Sequence, residues 1–159
     1  MKKSIRAISL SVVLCLLFAL IPVLPASAAS SATLWVSSTQ LSPGDTVTVT
    51  VGYTSSEPLR GTDITVKYPP EIFTYVDHTF ADPDNISGSR APQSDSLRFL
   101  SWYDTPGSSG ETSRTLGTIT LKVKDSPAAS GEIAITRAEG SSGTTSRLVF
   151  LNTTSVTVS

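Results

Sequence analysis

The sequence predicts an all-β domain, a sandwich of two packed sheets with about nine short strands, and three observations carry that prediction. Apolar residues recur with a period of two along most of the chain beyond residue 30. Clusters of Gly, Pro, Ser and Asp separate these runs at short intervals. No window of ten residues or more carries a convincing helical period in that part of the chain. Short alternating strands broken by turns at this spacing are the pattern of a sandwich.

Taken in order, "TLWVS" opens the domain and Ser42-Pro43-Gly44-Asp45 turns the chain into "TVTVTVGY", where Val47, Val49, Val51 and Tyr53 share one face. "DITVKY" places Ile64 and Val66 on one face with Tyr68, and Pro69-Pro70 ends it ahead of Phe73. "LRFLSWYD", residues 97–104, carries apolar bulk on both faces: Leu97 and Phe99 on one, Leu100 and Trp102 with Arg98 on the other. "TITLKV" follows with Ile119, Leu121 and Val123, then "EIAIT" with Ile133 and Ile135, and "LVFL" and "SVTVS" close the chain. Leu97 and Phe99 keep the phase of the core. The other face of that strand therefore needs a cover, either more of the fold or a partner.

The N-terminus has its own pattern. Lys2, Lys3 and Arg6 precede a long uncharged run, and Ala26-Ser27-Ala28 supplies a small-residue exit, together the form of a secretory signal peptide over residues 1–28. Cleavage there leaves a single domain over residues 29–159, expected to be extracellular and free of the membrane. Three of the 12 Lys and Arg and none of the 13 Asp and Glu lie in residues 1–28, so the remainder carries a net −4. That balance argues against nucleic acid and against an anionic membrane surface. The one cysteine, Cys15, lies in the leader, so the domain enters an oxidising compartment without a disulfide and depends on its core. About 130 residues build one such core and not two.

Chemistry-bearing clusters are sparse. Asp82, Asp84 and Asn85 lie in the least patterned stretch, residues 77–95, but Ile86 stands where the next alternate oxygen ligand belongs and no bidentate Glu follows, so no metal is expected there. His78, the only histidine, reads as a solvated loop residue. Asn85-Ile86-Ser87 and Asn152-Thr153-Thr154 match the glycosylation acceptor pattern. No Gly-flanked serine at a strand-to-helix turn and no cofactor loop is present, and most of the acids fall in loops or turns, so the expectation is no enzyme and no cofactor.

"LSPGDTVTVTV", "GTDITVKYPPEIFTYV", "RFLSWYD" and "LGTITLKVKDSPAASGEIAIT", in that order, resemble the cohesin domains that bind dockerin domains in bacterial cellulosomes and related surface assemblies. The likeness covers essentially the whole of residues 29–159. It implies a nine-stranded flattened sandwich of jelly-roll topology, non-catalytic, that binds a dockerin-bearing protein through one exposed sheet face; calcium in such a complex belongs to the dockerin. Asp63 matches the aspartate that dockerin-binding members carry on the third strand, and Asp104 matches a further aspartate. Gly61 replaces a common asparagine, Tyr103 a common glutamate and Pro69 a common acid. With the outward phase of the two central strands, the expected partner face comprises Asp63, Thr65, Lys67, Arg98, Leu100, Trp102, Tyr103 and Asp104.

A carbohydrate-binding module on a similar sandwich is the alternative, since sugars stack on aromatic rings and hydrogen-bond to flanking polar groups. The available rings are Trp35, Tyr53, Trp102 and Tyr103, each of which also has a reading as core or turn packing.

Overall fold

The computed structural model describes residues 29–89, 95–103, 110–127, 130–142, 148–151 and 153–159. The expected signal peptide, Asp104 and Asn152 lie outside the described residues. Within them the chain is all-β: β1 (Ser31–Val36), β2 (Thr46–Lys67), β3 (Phe73–Phe80), β4 (Ile86–Ser89), β5 (Ser96–Trp102), β6 (Glu111–Val123), β7 (Gly131–Ser142), β8 (Leu148–Phe150) and β9 (Ser155–Val158). Hydrogen bonds run along β3-β6-β2-β5-β4, with β1 and β7 also on β2, and β8 and β9 on β7.

Two features differ from the sequence reading. "TVTVTVGY" and "DITVKY" are not separate strands but the two halves of one 22-residue strand, β2. Its first half lies between β1 and β6, its second between β5 and β7, so all nine strands belong to one connected network rather than two separate sheets. The link at Ser55–Pro58 falls where the β6 register jumps from Thr54 to Leu59. Pro58 lacks an N–H and is tolerated where no ladder bond is required. Serine hydroxyls serve the neighbouring amides: Ser56 N–H donates to Ser30 Oγ at 3.1 Å and Glu57 N–H to Ser55 Oγ at 3.3 Å.

The second difference is in residues 77–95, part of which is strand. The β3–β6 register shifts between Tyr75 and Asp77, which leaves Val76 bulged and 52% exposed and breaks the period that would have revealed the strand. His78 is thereby a half-buried strand residue, not a solvated loop one. Its Nδ1 is hydrogen-bonded to the Tyr75 hydroxyl, and its ring meets Phe80 edge-on with centroids 4.9 Å apart.

The core follows the alternation. Val47, Val49, Val51, Ile119, Leu121 and Val123 of the first half of β2 and of β6 join Ile64, Val66, Phe99, Ile133 and Ile135 of its second half, β5 and β7 in one core cluster with Phe73. All twelve were expected inside, and all are at most 4% exposed. The turn into β2 is built as the sequence implies: Asp45 N–H donates to Ser42 O at 3.0 Å, Gly44 occupies φ +87°, and Asp45 Oδ2 accepts from Ser42 N–H at 2.8 Å. Proline second and a left-handed glycine third is the requirement of a type II turn.

Candidate functional site

The second half of β2 and its neighbour β5 sort their side chains strictly. Ile64, Val66, Leu97 and Phe99 are fully buried, and Thr62 and Ser101 are nearly so, sharing a 2.7 Å hydroxyl hydrogen bond. The antiparallel register sets Gly61 opposite Trp102, Asp63 opposite Leu100 and Thr65 opposite Arg98. Facing partners in such a ladder share a side of the sheet. Asp63, Thr65 and Lys67 therefore stand beside Arg98, Leu100 and Trp102 on the outer face, as expected. Leu100 and Trp102 are half-buried and Arg98 exposed.

Asp63 is the electrostatic centre of that face. Arg98 reaches diagonally across the ladder and binds it with both ends of its fork, Nε to Oδ1 and Nη2 to Oδ2, each at 2.7 Å. From the other side Arg137 of β7 places Nε 3.1 Å from Oδ2 and Nη2 3.0 Å from Glu139 Oε2. The hydrogen bonds from Arg98 hold the Asp63 carboxyl below its ordinary range, against an opposing effect of burial, and the charges of Arg98 and Arg137 add to the lowering. At the end of the face Lys67 Nζ lies 3.2 Å from Asp95 Oδ2.

Arg137 and Glu139 were not foreseen. β7 shifts register against β2 between Thr65 and Val66, so Thr136 and Arg137 are both exposed in succession and the alternation in the sequence breaks off early. Only the pairing of β7 with β2 brings these charges to Asp63. A hollow of about 240 Å³ lies among Gly61, Asp63, Ser101, Glu139 and Ser141. A Cβ on Gly61 would come within 3.0 Å of Ser101 O, so the backbones here approach too closely for an asparagine without adjustment. A larger cavity of about 530 Å³ adjoins the Lys67 end and is lined by Pro69, Pro70, Glu71, Asp95 and Glu132.

Tyr103 does not join the outer face through its ring. The guanidinium of Arg114, on β6, lies 4.6 Å from the ring centroid, and the hydroxyl is buried. Burial, then the nearby Glu111, pushes the phenol pKa well up, although the hydroxyl makes no hydrogen bond of good geometry. Its carbonyl remains accessible enough to accept from Arg60 Nη2 at 3.4 Å. Asp104, the remaining expected member, lies outside the described residues.

Nor do the four rings considered for sugar binding form a platform. Tyr53 is a core residue, 2% exposed, with its hydroxyl donating to Glu111 O at 3.4 Å. Trp35 is 54% exposed rather than packed away, because Ala32 and Leu34 take the inward positions of β1. Its ring lies against Gly52, and β1 pairs with the first half of β2 while Trp102 pairs with the second.

The Asp82 loop has a structural task. Its carboxylate accepts from Arg114 Nη2 at 2.5 Å and from Asn85 Nδ2 at 3.0 Å, and its carbonyl accepts from Ile86 N–H at 2.8 Å. Among the described residues no group of three or more His, Cys, Asp or Glu side chains is placed to hold a metal ion. No helix there is long and apolar enough to cross a membrane.

Comparison with known proteins places this architecture. The sixth cohesin of scaffoldin B from Acetivibrio cellulolyticus, solved in complex with a Cel5 dockerin, superimposes with a TM-score of 0.66 at 19% identity over 80% of this chain and 97% of that one. A cohesin module from a Clostridium perfringens family 33 glycoside hydrolase gives 0.65 at 13% identity, covering 82% and 95%. A type II cohesin domain from the cellulosome of Acetivibrio cellulolyticus gives 0.65 at 13% identity with the same coverage. At these identities the likeness establishes the fold alone. The search of curated proteins gave no match. The family profile of the cohesin domain matches residues 32–158, nearly the whole of the described chain, and the protein thus belongs to the cohesin domain family.

Proposed function

We propose that residues 29–159 form a non-catalytic binding module, exported by a leader at residues 1–28 that is then cleaved, and that the module docks a dockerin-bearing protein in an extracellular polysaccharide-degrading or surface assembly. The docking surface is the outer face of β2 and β5: Asp63, Thr65, Lys67, Arg98, Leu100 and Trp102, with Tyr103 and Asp104 at its end. The observation that carries the reading is the apolar pair Leu100 and Trp102, half-buried on an outer sheet face and ringed by paired charges. Aromatic and aliphatic anchors within a charged rim are the composition of a protein-binding patch. Solved relatives in complex with dockerin partners support the choice of partner. The flattened two-layer jelly roll is the finer fold reading. It is supported by the change of partners along β2, from β1 and β6 to β5 and β7.

Purified dockerin modules titrated against wild type and Leu100→Arg test the reading. The variant should stay within about 0.5 kcal/mol of wild-type stability, as substitutions on an outer face usually do, and lose more than about 2 kcal/mol of affinity, as the loss of a central anchor does. Unfolding of the variant would show that the protein's own chain covers this face. Unchanged affinity would place the docking surface elsewhere.

A further inference from the structure

Among the described residues, the paired carboxylates of the outer face are less exposed than their cations. Arg98, Arg137 and Lys67 have side chains 44%, 51% and 56% exposed, whereas their partners Asp63, Glu139 and Asp95 are 15%, 29% and 33% exposed. Arg60, at the Tyr103 end, is exposed as well. A molecule arriving from solvent therefore meets guanidinium and ammonium groups first, on a chain with slightly more acidic than basic residues overall. Asp63 is already engaged: each of its oxygens accepts one bond of the Arg98 fork, and Arg137 Nε lies 3.1 Å from Oδ2, so on a side chain only 15% exposed a partner's donor competes with two guanidiniums. Arg98 has spent only Nε and Nη2 of a guanidinium that carries five N–H donors.

Building on the docking reading above, we infer that the partner element recognised by this face is acidic, presenting Asp or Glu side chains over Arg98 and Arg137 beside an apolar residue that seats on Leu100 and Trp102. A carboxylate arriving there completes an anion–cation–anion layer, with Arg98 between Asp63 below and the partner's acid above. The cations then remain paired on both sides when water is excluded, which is the condition for buried charge at an interface to be tolerated. The geometry also fixes orientation. The cavity at the Lys67 end sets Glu71, Asp95 and Glu132 against the single cation Lys67, already paired with Asp95, so its net negative walls disfavour the same acids and the partner's acidic segment falls over the β5–β2–β7 centre and away from the Pro69-Pro70 end.

The test is calorimetric titration of a panel of purified dockerin modules of differing surface charge against wild type, Leu100→Arg, Arg137→Gln and Asp63→Asn, with thermal melting as the check on folding. Dockerins that bind should present acids at the contact, and their Kd should weaken roughly tenfold or more as NaCl is raised from about 0.05 to about 0.5 M, since rim charges are screened by salt. Arg137→Gln should weaken binding roughly tenfold. Asp63→Asn, which removes the underlying anion and frees both guanidiniums, should tighten it. An unchanged or weaker Kd for folded Asp63→Asn overturns the inference, since the carboxylate would then serve the partner directly; loss of binding with Leu100→Arg would still uphold docking at this face. Should Asp63→Asn fail to fold, salt-insensitive binding or an indifferent Arg137→Gln overturns the inference in its place. Failure of every dockerin to bind overturns both readings.

Discussion

Truncation of Phe99 to alanine measures how closely the interior beneath the proposed docking face is packed. The ring is fully buried, and it meets Phe80 of β3 edge-on at 6.0 Å with an interplanar angle of 86°, while Phe80 is in turn packed on His78. Removing a buried phenyl costs about 3–5 kcal/mol in lost transfer energy and residual cavity. The aromatic pair supplies about 0.5–1.5 kcal/mol beyond area burial. A domain of this size has about 5–15 kcal/mol in total, so the variant should lose a large share of its stability and remain foldable only in mild conditions. Equilibrium urea unfolding followed by tryptophan fluorescence reads the difference, and a double-mutant cycle of Phe80→Leu with Phe99→Leu isolates the coupling between the rings. A cost below about 1.5 kcal/mol for Phe99→Ala would refute close packing at this site, since such values belong to positions that collapse freely or face solvent. Leu100, the next residue along the strand, provides the internal control, because it lies on the opposite face and its replacement by arginine should hardly alter the same unfolding curve.

Asp63 has a lowered pKa in the folded state, so its ion pairs contribute stability above the ordinary aspartate pKa of about 3.9, and that contribution is lost as the pH falls through the folded value. Acid unfolding of Asp63→Asn should accordingly show a flatter stability profile below about pH 4 than wild type, with arginine partners that stay charged throughout; parallel profiles would show that the pairs are fully solvated. Chelator should leave the melting temperature of the wild-type domain unchanged, because Arg114 and Asn85 already occupy the Asp82 carboxylate. A drop of several degrees would instead identify an ion among Asp82, Asp84 and their neighbours.

The interior was legible because burial on one face of a strand imposes a period of two, and Val47 to Val51, Ile64 with Val66, and Ile119 to Val123 display it without interruption. Half of the outer face was legible for the same reason: once Phe99 is inside, Leu100 and Arg98 are outside. The charge network was not, since Arg137 reaches Asp63 only through the pairing of two strands some 70 positions apart, and a bulge at Thr136 hides the end of β7. The continuity of β2 through Pro58 escaped because proline ordinarily closes a strand, and here serine hydroxyls meet the neighbouring amides. A bulge at Val76 likewise concealed His78 as a strand residue. The contact of the half-buried Tyr103 ring with Arg114 was not legible either, because that cation comes from another strand.

The unbroken run of β2 has a consequence for how the molecule comes apart. Each half of the network borrows its central strand from the other, so neither half is a separable folding unit with a complete ladder of its own. Fraying of β6 from Thr46–Thr54 loosens the same backbone that positions Asp63 and Thr65 opposite β5. The pairing therefore couples opening of one half to the other, and the binding face sits on that shared strand rather than on a local loop. For a domain that carries no cysteine beyond Cys15 and so depends on its core, such coupling limits the time during which any strand edge stands open to proteases or to other chains.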